Sequence, residues 1–228
     1  MINSSNKRQI IIGFIVAVAA YGWICYSFVV LQNPILGRMV YIVVLCFGGG
    51  YLLYRSLTNN KKEVFEIEMH RSPVFLTTWL SIVAMAVVWG ATLLFRPGIV
   101  SPETIGTTLD TYGTPLKNYW WFAGFFTIMN PIAEEFLWRR NMVPLLRSMM
   151  GRYQTIVVSA LLFAGYHVLA IIKPFELLML LGVFLICFTG GIFLAYLYIR
   201  TRHIRYPIAL HMVININLAV IWWFYTPS

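Results

Sequence analysis

The apolar positions of this chain gather into long runs without strict alternation with polar ones. Seven runs, at about 10–31, 35–57, 74–95, 119–138, 155–172, 177–199 and 208–224, are each bounded by proline, glycine or charge. A helix crosses roughly 30 Å of hydrocarbon with about 20 apolar residues, so each run predicts one transmembrane helix. Backbone groups in lipid have no water to bond and must pair within the helix. The lack of a two-residue period argues against a membrane barrel. The predicted fold class is therefore all-α, a polytopic bundle of about seven spans.

Two stretches are polar. Residues 59–72, with Lys61, Lys62, Glu63, Glu66, Glu68 and Arg71, read as a solvated cytoplasmic link, and residues 96–118, broken by proline and glycine, as the main external loop. No repeat or low-complexity tract divides the chain. One compact bundle is expected, with residues 1–118 supplying N-terminal spans, link and loop, and residues 119–228 the other half.

Composition agrees with the pattern. Of 228 residues, 60% are hydrophobic and 11% charged, against about 45–50% and about 25% in soluble domains. A disordered tail, a disulfide-stapled module and a soluble nucleic-acid binder are excluded, because none keeps so much apolar surface from water. With a cytoplasmic N-terminus, the inner segments hold Lys7, Arg8, Arg55, Lys61, Lys62, Arg71, Arg139, Arg140, Arg147, Arg152, Arg200, Arg202 and Arg205. Only Arg38, Arg96, Lys117 and Lys173 remain outside. This bias predicts an N-in, C-out, multi-pass protein of the cell membrane. It also accounts for the net charge of +9: the basic residues face the anionic inner leaflet, and nucleic acid is not an expected partner.

Lys7 and Arg8 precede an apolar run containing Ala17, Ala19 and Ala20, the outline of a signal peptide. The run continues to Leu31, too far for a cleaved signal, so a retained first span is expected. Cys25, Cys46 and Cys187 lie in apolar runs without metal or redox spacing and read as small buried side chains.

Ionisable groups inside a span cost about 2.5–3.5 kcal/mol each at a helix centre, which singles out Glu134, Glu135, His167 and His211, with Asn215. Glu135 and Arg139 stand four apart on one helical face and predict an ion pair, while Glu134 is rotated away from that arginine. Desolvation by Phe136, Trp138 and lipid suits Glu134 to general-base work. His211 and Asn215, also four apart, project together from the last span. Asn130 and Pro131 predict a kink just upstream of Glu134. Gly190 and Gly191 mark a close helix contact or bend, His203 a solvated basic loop, and Trp222, Trp223 and Tyr225 an interfacial belt. Asn217 points about 200° away from Asn215. Counted at ~1.5 Å per residue, Glu134 and His211 lie about 5–9 Å from the inner boundary and His167 about 18 Å. The fifth helix must therefore start further into the cytoplasm than residue 155, or tilt.

Read together, Glu134-Glu135-x-x-x-Arg139, Phe163-x-x-x-His167 and His211-x-x-x-Asn215 resemble the CPBP family of membrane proteases. That family includes relatives of the type II CAAX prenyl endopeptidases and the bacteriocin-processing, Abi-type proteins. The resemblance covers about residues 119–225 and implies that residues 119–228 are the catalytic membrane core. It implies an endopeptidase acting on a membrane-associated peptide or protein, with Glu134 and His167 activating water and His211 and Asn215 stabilising the oxyanion. Glu135 and Arg139 match supporting positions. One carboxylate and two imidazoles would also satisfy a catalytic zinc ion, but HExxH is absent, and the metal-free glutamate mechanism is the expectation, with no cofactor. The competing readings are a non-catalytic immunity or scaffold protein and a proton-coupled transporter. The transporter is disfavoured because no inverted repeat is seen.

Overall fold

In a computed structural model, the residues described are 71–95, 119–171 and 177–225, with Ile15, Ala19 and Trp23 as isolated helical positions. The first two predicted spans, Cys25, Cys46, nearly all of the polar link and the external loop lie outside the described residues. Among the described residues every regular element is helical, as the apolar runs require.

Helix α1 is Arg71–Phe95. A continuous helical run follows, made of α2 (Tyr119–Gly124), a π-helical segment π1 (Phe125–Met129), α3 (Asn130–Glu135), a second π segment π2 (Phe136–Met142) and α4 (Val143–Met149). Then come α5 (Arg152–Ile171), α6 (Leu177–Thr201) and α7 (Arg205–Tyr225). Two stretches, Pro73–Gly90 and Leu180–Thr201, are long and apolar enough to cross a membrane, and Arg205–Ile221 is a shorter apolar helix. The remaining helices carry the buried polar residues described below.

The sequence-based boundary at Trp138 is too early. The helix runs on to Met149, and Arg139, grouped on charge with the inner loop, has no exposed surface. Met150, in extended conformation, ends the run. Gly151 then opens α5: its N–H donates to the Gln154 side chain at 3.0 Å and its carbonyl accepts the Thr155 N–H at 3.0 Å. That is half of a capping box. Glu134 stands sixteen residues before Met150 and His167 sixteen residues after Gly151. An antiparallel hairpin with its turn at 150–151 therefore brings these two side by side, and the apparent mismatch in depth disappears. The fifth helix does begin earlier than residue 155, and the fourth ends later than residue 138.

Helix α5 packs along α6, and α7 packs against α1, α6, π1 and α3. Leu137, Trp138, Met142, Leu146, Phe163 and Tyr166 form one buried cluster, and Leu194, Leu197, Tyr206 and Leu210 another, joined by Leu76, Leu80 and Ala84 of α1. Trp89 Nε1 donates to Asn217 Oδ1 at 3.0 Å, so Asn217 ties α7 to α1, away from Asn215 as its spacing predicts. Outward faces expose Phe75, Trp79, Leu181 and Leu185, a surface suited to lipid. Trp223 packs its ring 4.5 Å from Trp120 and 5.4 Å from Tyr119, whose hydroxyl donates to the Ala219 carbonyl.

Of the two adjacent glycines in α6, only Gly191 is the close contact. A Cβ on it would lie 3.0 Å from Ala160 Cα and 3.3 Å from the Phe163 ring, whereas one on Gly190 would meet nothing within 4 Å. Gly191→Val should lower thermal stability in detergent by about 1–3 kcal/mol. Gly190→Ala should leave it unchanged or raise it by up to about 1 kcal/mol, as read by melting of the two purified variants.

Candidate functional site

The local fold of the site begins with a missing hydrogen. Pro131 has no N–H and cannot continue the ladder behind it. The Asn130 N–H bonds the Phe125 carbonyl, five residues back, which is the π register. The Phe126 carbonyl thereby loses its α-helical donor, and the next amide along is proline. Asn215 of α7 supplies the donor through Nδ2 at 2.9 Å. The kink expected from Asn130 and Pro131 thus takes the form of a π segment. It is stitched to the last helix by a residue picked out for chemistry. A second π segment follows the two glutamates, where Asn141 Nδ2 donates to the Phe136 carbonyl at 2.6 Å. Such segments recur at functional sites because they re-aim side chains.

Between the two π segments, Glu134 and Glu135 are both buried. The Glu135 Oε1 atom forms the predicted ion pair with Arg139 Nη1 at 3.0 Å and also meets His211 Nδ1 at 2.8 Å. The guanidinium, fully buried, lies with its carbon 4.5 Å from the centre of the Phe163 ring. That cation–π contact covers one face of the guanidinium, while its in-plane Nε and Nη2 donors make no hydrogen bond. His211 Nδ1 faces a carboxylate that is paired with arginine, so this nitrogen carries the proton and Nε2 is bare in the neutral ring.

Glu134 faces the other way, as its rotation from Arg139 predicts. Its Oε2 lies 3.8 Å from His167 Nε2 and 3.8 Å from His211 Nε2. His167 Nδ1 meets the Phe163 carbonyl at 2.8 Å. A carbonyl only accepts, so Nδ1 donates and here too Nε2 is bare in the neutral ring. One carboxylate oxygen and two imidazole nitrogens from three segments therefore converge, each presenting a lone pair. Three facing acceptors call for a hydrogen donor between them, the role a water molecule fills.

The structure thus brings together Glu134, Glu135, Arg139, His167 and His211. It sets Asn215 one helical turn from His211 with one N–H engaged by Phe126. Residues that sequence reasoning missed are Asn130 and Tyr166, which donate to Glu134 Oε1 at 3.0 Å and 3.3 Å. Asn130 was detectable from its four-residue spacing to Glu134, whereas Tyr166 has no such signal. Phe163 does more than mark a motif. Its carbonyl orients His167, and its ring lies 4.3 Å from that imidazole and 5.9 Å, edge-on, from His211. The His167 side chain is 26% exposed, against 2% for Glu134 and 6% for His211, so the site opens on the His167 side. Although the donor types suit zinc, among the described residues no group of three His, Cys, Asp or Glu side chains is arranged to hold a metal ion. Cys187 is a free thiol.

A buried pair of glutamates is bracketed by π segments and faces two imidazoles; among the described residues, all helical and including two helices long and apolar enough to cross a membrane, they define a polar centre inside a helical bundle. A family model described as type II CAAX prenyl endopeptidase Rce1-like matches residues 116–217, the segment that holds this entire centre. Over that segment the chain is similar to the type II CAAX prenyl endopeptidases, a likeness that supports the CPBP family of CAAX intramembrane proteases. Comparison with curated proteins and with solved structures gives no significant match.

Removing one partner of a buried ion pair costs about 3–5 kcal/mol because the other is stranded. Arg139→Ala should lower stability by that order, measured by thermal or denaturant unfolding in detergent. His211→Ala, which leaves the Glu135–Arg139 pair in place, should cost less.

Proposed function

We propose that the protein is an intramembrane endopeptidase that hydrolyses a peptide bond in a membrane-associated peptide or protein with a glutamate-activated water. The observation that carries this reading is Glu134 Oε2 lying 3.8 Å from both Nε2 atoms.

Water held among these three acceptors attacks the scissile carbonyl carbon while Glu134 takes one of its protons. The carbonyl oxygen becomes an oxyanion. As substrate enters, His211 takes a proton from solvent at Nε2 and returns it after product release; the second N–H of Asn215 and this Nε2–H stabilise the oxyanion, and Glu135 supports the positive charge of the ring. Collapse breaks the C–N bond, and the departing amine takes the proton from Glu134, directly or by way of His167. The products are a carboxylic acid and an amine, and transfer of the second water proton between them leaves a carboxylate and an ammonium, so the protons balance without a serine or cysteine nucleophile. Partial exposure of His167 suits it to exchange protons with the outside between turnovers.

The substrate reaches this centre within the membrane plane, and the family name motivates testing prenylated peptides beside unmodified leader-type and small hydrophobic peptides. A scaffold or immunity protein has no use for a carboxylate and two imidazoles set so close. A proton-coupled transporter predicts flux without cleavage.

In proteoliposomes, the wild type should cleave at least one of these peptide classes and carry no proton-coupled flux. Glu134→Ala and His167→Ala should lower cleavage by about 10²- to 10⁴-fold, and His211→Ala by about 10²- to 10³-fold. Full turnover by Glu134→Ala would remove the base assignment. Activity should survive exhaustive chelation; complete loss restored only by a divalent ion would replace this mechanism with a metal-dependent one.

A further inference from the structure

The two oxygens of Glu134 have different company. Oε1 accepts from Asn130 Nδ2 at 3.0 Å and from the Tyr166 hydroxyl at 3.3 Å, whereas Oε2 faces His167 and His211. A glutamate carboxylate otherwise turns easily about its last torsion, which is broad and nearly two-fold, so its oxygens exchange places. Two donors on one oxygen remove that freedom. Each carboxylate oxygen offers about two lone-pair directions, and Asn130 and Tyr166 engage both on Oε1.

Both donors are themselves fixed. Asn130 begins α3, where the π register ends, one turn before Glu134 on the same face. Tyr166 is buried next to His167 in α5, with ring centres 4.8 Å apart, and its ring lies 6.1 Å from that of Trp138. The clamp therefore joins the segment that carries the base to the helix that carries the more exposed imidazole. Neither donor reaches Oε2, so neither competes for the position between the imidazoles.

We infer that Asn130 and Tyr166 are positioning residues for Glu134, fastening Oε1 so that Oε2 is the oxygen presented to the two imidazoles. Their effect on turnover rests on the hydrolytic reading above; the orientation itself does not. Both act through Glu134 and touch no reacting atom.

Tyr166→Phe removes one hydroxyl and keeps the ring packing, and Asn130→Ala removes the other donor. In the full-length protein in liposomes, each should lower kcat about 10- to 100-fold on the peptide the wild type cleaves, with KM unchanged. A separate readout needs no activity. The infrared difference between each protein and its Glu134→Gln derivative isolates the Glu134 carboxylate stretch. That band should move to higher frequency in each variant and further in the double variant, as donors are lost. Unmoved bands in both single variants overturn the inference, as does a full wild-type kcat in both. Shifted bands in a protein whose wild type cleaves no peptide would uphold the clamp and retire the hydrolytic reading.

Discussion

Glu135 is the joint on which the rest of the site hangs. One of its oxygens holds Arg139 from its own helix and His211 from the last helix. A buried carboxylate is tolerable only when it is paired, and here the pairing also does geometric work. Glu135 pairs with Arg139 and accepts from His211 Nδ1, which places that ring's proton on Nδ1 and turns the opposite nitrogen toward Glu134. Adjacent glutamates thus have separate duties because a helix rotates successive residues by about 100°. One braces an imidazole from behind, and the other meets it in front.

The same economy links backbone to chemistry at Pro131. A residue that cannot donate forces the π register, the π register exposes the Phe126 carbonyl, and that carbonyl takes one N–H of Asn215. The amide is then held with its remaining N–H to offer elsewhere, one turn from His211. Fold and site are therefore not separable layers in this bundle: polar groups that lipid would penalise become the bolts between helices.

Much of this was legible in the sequence. Long apolar runs predicted helices where the described residues form them, at 74–95, 119–138, 155–172, 177–199 and 208–224. Four-residue spacings predicted the Glu135–Arg139 pair and the shared face of His211 and Asn215, because helical periodicity is local. The end of the fourth helix was misplaced because Arg139 and Arg140 look like an interfacial stop, and only tertiary packing shows that the Phe163 ring covers Arg139. Tyr166 could not be found from spacing, since its partner lies 32 residues away across a hairpin. Gly190 and Gly191 were indistinguishable until Ala160 was seen against one of them.

The turn at 150–151 carries a lesson about length. With Glu134 and His167 equally far along the chain from its apex, each added or lost residue in one arm slides that arm by about 1.5 Å and swings it by about 100°. Side chains along the hairpin can drift over evolutionary time, but the count of residues between Glu134 and His167 behaves like a gear ratio. A single insertion in this stretch should part Glu134 from His167 unless a second one in the other arm compensates it.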